Sequence, residues 1–120
     1  MHELGLLRGV VATVERVAAS SGATRVEAVG LRVGTLSGAE PEALAGAWPI
    51  ASAGTVTEGA ELVIESVAAA VYCPVCDKAQ PIDEFFALTC PVCGTPTANL
   101  VSGREFEVTY ADMDIPRAHT

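Results

Sequence analysis

The chain has 120 residues, enough for one domain with a small insert, and half of them are apolar, mostly Ala and Val. Fifteen acidic against seven basic residues give a formal charge of −8. With no Lys/Arg cluster to offset it, such a chain is repelled by phosphates, which excludes a nucleic-acid binder. No stretch reaches the length of a transmembrane helix, and Glu3 and Arg8 interrupt the first apolar run. Neither a membrane span nor a signal peptide is therefore expected, and the expected compartment is the cytoplasm.

Residues 3–20 read as a helix, because Leu4, Leu7, Val11, Val14 and Ala18 recur at alternating spacings of three and four. Leu6, Val10 and Val17 widen that stripe, Arg8, Glu15 and Arg16 are left for solvent, and Gly22 suits the C-cap. Gly5 and Gly9 form a small-xxx-small pair, expected to let the helix pack closely on a strand rather than to serve a partner. Residues 25–34 read as a strand with Val29, Leu31 and Val33 on one face and Val26, Ala28 and Gly30 on the other. After a turn from Gly34 to Gly38, a second helix starts at Pro41, with Glu40 and Glu42 near its positive end. Leu44 and Trp48 lie four apart on it, it is expected to stop near Gly54, and Pro49 predicts a kink or an early end. Residues 60–67 alternate as a second strand. Periodicity is lost over 72–98 and returns over 104–110, with Phe106, Val108 and Tyr110 opposite Glu105, Glu107 and Thr109. From Asp112 the tail is expected to be loose. The predicted fold is α+β: a small three-stranded sheet with two helices, plus a ribbon lobe inserted before the last strand. The two strands flanking the lobe are expected to pair as neighbours.

The irregular stretch carries all four cysteines, as two identical Cys-Pro-Val-Cys units, Cys73 to Cys76 and Cys90 to Cys93. Two intervening residues let both sulfurs of a unit reach one ion, and two units complete a tetrahedral four-thiolate shell suited to zinc. Pro74 and Pro91 stiffen the loops, and Gly94 permits the tight turn after the last ligand. Iron is the rival metal for the same donors. Disulfides and a thioredoxin-like redox pair fit less well, since nothing marks secretion and the context is loop-like.

A second candidate is the start, Met1-His2-Glu3. An α-amine with a pKa of about 7.7–8.0 loses its proton at modest cost. The Met1 amine, the His2 backbone nitrogen and the His2 ring can form fused chelate rings, a nitrogen-rich set that suits Ni²⁺ or Cu²⁺. Glu3 offers a carboxylate or a backbone nitrogen. His119, in the tail, is read as an ordinary exposed residue.

These blocks occur in a familiar order. The Met-His-Glu start precedes an apolar helix, and then comes Leu31-Arg32-Val33-Gly34-Thr35-Leu36-Ser37-Gly38-Ala39-Glu40-Pro41-Glu42-Ala43-Leu44. Glu58-Gly59-Ala60-Glu61-Leu62 and the paired cysteine units follow. Over nearly its whole length the chain resembles the HypA/HybF family of hydrogenase maturation nickel metallochaperones. The resemblance implies a nickel-binding α/β domain over residues 1–68 and 99–112, a zinc-binding domain over 69–98, and a disordered tail over 113–120. It implies a transient Ni(II) site at Met1, His2 and Glu3, with Glu40 as an additional ligand, and structural Zn(II) on Cys73, Cys76, Cys90 and Cys93. The implied partners are a HypB-type GTPase, the large subunit of a nickel–iron hydrogenase and, in some organisms, urease maturation proteins. No enzyme is implied, and the chain has neither a nucleophile–base pair nor a phosphate loop ending in Gly-Lys-Ser/Thr. Pro49 departs from the family pattern. The alternatives from other classes are a zinc-ribbon adaptor with no metal to deliver and a rubredoxin-like electron carrier.

Overall fold

The computed structural model describes residues 2–82 and 88–116; Met1 and His119 lie outside them. Helix α1 spans His2–Ser21 and buries Leu7, Val10, Val11, Val14 and Ala18, the face its periodicity requires. It ends in a left-handed Gly22 (φ 72°), where the Ala23 amide donates to the Ala18 carbonyl at 2.9 Å and satisfies an end-of-helix acceptor. Strand β1 (Arg25–Gly34), helix α2 (Pro41–Ser52) and strand β2 (Glu61–Val67) form a parallel β-α-β unit, registered from Ala28 opposite Glu61 to Gly34 opposite Val67. Strand β6 (Phe106–Asp114) runs antiparallel along the other side of β1, giving the order β2-β1-β6. The strands flanking the cysteine segment therefore do not pair as neighbours: β1 lies between them. A parallel β-α-β unit already occupies one edge of β1, and the returning chain takes the free one.

Two bulges set which side chains face the core. One falls between Val26 and Ala28, so Val26 joins Val29, Leu31 and Val33 in one buried cluster instead of facing away from them. The other falls where Gly30 pairs with Tyr110 and Leu31 with Val108, leaving Thr109 as the extra residue. It turns Phe106, Val108, Ala111 and Met113 inward and sends Tyr110 to the face opposite Val108, correcting the plain alternation. There the Tyr110 ring covers Gly30, where a Cβ would collide with it. On the same outer face Arg32 reaches Glu107 at 3.1 Å and Glu65 at 3.5 Å, linking all three strands. The strand also runs to Asp114, past the loose tail expected from Asp112.

Helix α2 continues through Pro49 to Ser52, so the early end does not occur. Proline removes only one donor, late in the helix, and the last turn is held by buried Trp48, Ala51 and Ser52. The Trp48 indole N–H donates to the Ala60 carbonyl at 2.8 Å, tying the helix to the start of β2.

A second sheet, ordered β4-β3-β5, is built from β3 (Ala70–Cys73), β4 (Lys78–Pro81) and β5 (Leu100–Ser102). This is the ribbon lobe, and regular strands run through part of the segment where the sequence showed no period. Its apolar cluster is small: Ala69, Val71 and Ile82, with Leu36 and Leu100 packed against them. The two sheets meet at Gly103 (φ 119°), where a Cβ would lie 2.8 Å from both Cα and Cβ of Ala69. The Gly103 carbonyl accepts from the Leu36 amide at 2.6 Å, and its own amide donates to Glu105 Oε1 at 2.7 Å.

Candidate functional site

The two Cys-Pro-Val-Cys units fold alike. In each, the amide of the residue after the second cysteine donates to the carbonyl of the first: Asp77 to Cys73 at 2.8 Å and Gly94 to Cys90 at 2.9 Å. That turn needs a left-handed residue, and both Gly94 (φ 77°) and Asp77 (φ 56°) supply it. Sequence reasoning found the glycine and missed the aspartate, although Asp tolerates this region better than most side chains. The Tyr72 hydroxyl donates to the Asp77 carboxylate and fixes that turn from β3. The Cys76 amide donates to Cys73 Sγ at 3.4 Å.

All four sulfurs lie within 4.8 Å of one another. Cys73 Sγ is 3.5 Å from Cys93 Sγ, and Cys76 Sγ is 3.9 Å from Cys90 Sγ. A tetrahedron with metal–sulfur bonds of ~2.3 Å has edges of about 3.8 Å, so the cluster already has the size of a four-thiolate metal site. Cys73 and Cys90 are buried while Cys93 is exposed, so the cage is open to solvent on one side. A hydrogen bond to Cys93 pushes the Cys76 thiol up to about 12, and the Thr95 hydroxyl, 3.1 Å from Cys93 Sγ, leads the groups that bring Cys93 down to about 6. Of these two, Cys93 is thus the readier thiolate donor and Cys76 the one that holds its proton longer. A metal entering at neutral pH must displace the Cys76 proton, and below about pH 6 it competes for the Cys93 site as well. Apparent affinity is therefore expected to fall at least tenfold per pH unit from 8 to 6 and more steeply below 6, checked by chelator competition across that range.

The second candidate gathers at the start of α1. His2 is exposed, and its Nε2 lies 4.0 Å from the position a Cβ on Gly38 would take. Glu3 is half-buried, and its carboxyl is held below the usual range, chiefly by a hydrogen bond from its own backbone amide and then by one from the backbone amide of Glu40. Glu40 is the N-cap of α2 but makes no side-chain cap bond. The carboxylate of Glu3 meets the donor end of both helices, a placement favoured by their dipoles. The structure thereby brings His2 and Glu3 to the Gly38–Glu40 loop. The exposed Glu40 side chain leaves from the same short segment.

Among the described residues no helix is long and apolar enough to cross a membrane. Comparison with known proteins covers nearly the whole chain. A family profile described as hydrogenase/urease nickel incorporation, metallochaperone, hypA matches residues 1–113. A curated hydrogenase maturation factor HypA from Roseiflexus sp. is 42% identical over 98% of both chains, and one from Streptomyces avermitilis is 37% identical over 99% of this chain and 92% of its own. The solution structure of the nickel metallochaperone HypA from Helicobacter pylori superimposes with a TM-score of 0.67 at 19% identity, covering 95% of this chain and 98% of its own. Another HypA solution structure gives 0.70 at 20% identity over 97% of this chain and 98% of its own. With one helix-capped start, one four-cysteine ribbon and a family profile spanning both, the chain belongs to the HypA family of nickel metallochaperones for hydrogenase maturation.

Proposed function

We propose that this chain collects Ni(II) at Met1, His2 and Glu3, with Glu40 contributing from α2, and passes it to the large subunit of a nickel–iron hydrogenase. The observation that carries the reading is the junction of α1 and the α2 cap, where His2 stands at Gly38 and Glu3 binds the Glu40 amide. The first amides of a helix have no intrahelical acceptor, so the backbone nitrogen of His2 can turn toward an ion beside the Met1 amine. The Glu3 carboxylate, already engaged by backbone amides, braces this arrangement, and the His2 ring is the side-chain donor on which the site chiefly depends. Few ligands at a chain end suit an ion that must be collected and then released. A HypB-type GTPase is the expected cooperating partner, urease maturation proteins are further recipients in some organisms, the compartment is the cytoplasm, and the role is not enzymatic.

The four cysteines, in this reading, hold Zn(II) permanently, as expected for a closed four-thiolate shell of the observed size. A colourless purified protein carrying zinc supports it, and a red one carrying iron overturns it. For nickel, the test is titration of the untagged, zinc-loaded chain. One nickel per chain is expected for the unaltered start. His2→Ala, or one residue added before Met1, is expected to weaken binding at least tenfold. Binding should also weaken as pH falls, because protons compete for the amine and the imidazole. Unchanged affinity in both variants sinks the assignment, and absence of nickel binding in the untagged chain leaves the zinc-ribbon adaptor as the reading.

A further inference from the structure

Strand β6 ends the first sheet, so one edge of its backbone ladder has no strand beside it among the described residues. Along that edge an open apolar groove separates β6 from α1. It begins as a depression of about 430 Å³ between Gly5, Leu6 and Gly9 on the helix and Phe106 and Val108 on the strand. A second depression of about 220 Å³ shares Thr13 and Val108 with it and extends it to Val17 and Tyr110. The Thr13 hydroxyl is turned back to the Gly9 carbonyl at 3.0 Å. The expectation that Gly5 and Gly9 allow close packing on a strand is not met. A Cβ at either position would have no atom within 4 Å among the described residues, so none of these uses the space they leave. Glycine is the poorest helix former after proline, and two of them on one helix face make the groove wider at a cost to the helix.

The strand side of the groove has a definite charge. The outward positions of β6 are Glu107, Tyr110, Asp112 and Asp114, and the strand contains no lysine or arginine. Among the described residues, the cation paired with it is Arg32, shared with Glu65. A second copy of this chain paired edge to edge would set that acidic row against itself, in molecules each carrying −8. We propose that the α1–β6 groove is a docking site for an extended segment of a partner protein, added as a strand to β6, with apolar side chains alternating with lysine or arginine. Because side chains alternate along a strand, the apolar set would turn inward beneath Gly5, Gly9 and Thr13 while the basic set stands beside Glu107, Asp112 and Asp114. The inference does not depend on what the N-terminus binds.

The test uses the full untagged chain without nickel and a blocked octapeptide of four Val-Lys repeats, followed by backbone-amide NMR. Saturable shifts along β6 and along α1 from Gly5 to Val17 are expected. Gly9→Leu fills the groove with a better helix former, so binding should weaken at least tenfold while the melting temperature holds or rises. The same peptide N-methylated at every residue keeps its side chains but loses its donors, and should not bind; this arm leaves the protein unaltered. Equal binding of a Ser-Lys repeat overturns the proposal by reducing it to charge. Equal binding by the Gly9→Leu chain or by the N-methylated peptide, shifts elsewhere, absence of binding, or sedimentation showing a dimer closed through β6 overturns it too.

Discussion

Cys73→Ser is expected to empty the four-cysteine site and unfold the ribbon lobe, while leaving the three-stranded sheet and its helices folded. Cys73 is fully buried at the end of β3, its sulfur receives the Cys76 amide, and it lies 3.5 Å from Cys93 Sγ. Serine offers a shorter, harder donor that stays protonated, so three thiolates and a gap remain. Binding of a structural zinc is worth roughly 10–16 kcal/mol, and a cluster of Ala69, Val71 and Ile82 with two half-buried leucines cannot replace it. Metal analysis should fall from about one ion per chain to near zero, as a closed shell needs all four ligands. Amide spectra should lose dispersion over 70–102 and keep it in α1, β1 and β6. Collapse of both regions together would mean that the two sheets fold as one unit.

Trp48→Ala is expected to cost about 3–5 kcal/mol, the range for truncating a large buried aromatic. Against a total of about 5–15 kcal/mol for a domain this is a large fraction, and it should lower the melting temperature by on the order of 15–25 °C. Trp48 is only 6% exposed and lies in the same cluster as Leu44, Val29 and Leu31. It also closes the β-α-β unit through its bond to Ala60. Trp48→Phe separates the two contributions: it keeps most of the apolar area, loses the bond, and should cost about 1–3 kcal/mol for the carbonyl left unpaired. Urea unfolding of the three chains checks both values. Equal losses in the two variants would assign the effect to the hydrogen bond rather than to packing.

The fold was legible where the signal is local. The α1 stripe returned as its buried face, and β1 was placed at its observed ends, because a buried stripe and flanking turn residues act within a few residues of each other. The same holds for the cysteine units, whose two sulfurs share one tight turn, and whose pairing across residues 77–89 leaves little choice of partner. Pro49 misled because propensity is a weak force beside a buried tryptophan one residue away. The ribbon strands, with three or four residues each, are too short to declare a period.

By itself, then, the sequence determined the helices and the three strands of the first sheet, and it marked the four cysteines and the Met-His-Glu start as candidate metal sites, since each is written in residues close together along the chain. Only the tertiary structure decided that β1 stands between β2 and β6, that bulges turn Val26 inward and Tyr110 outward, and that Glu3 reaches the Glu40 amide. It also decided that Gly5 and Gly9 face open space. Each of these depends on which surfaces meet once the core closes. A one-residue bulge reverses a face, and a distant amide becomes a neighbour, with no change in local pattern.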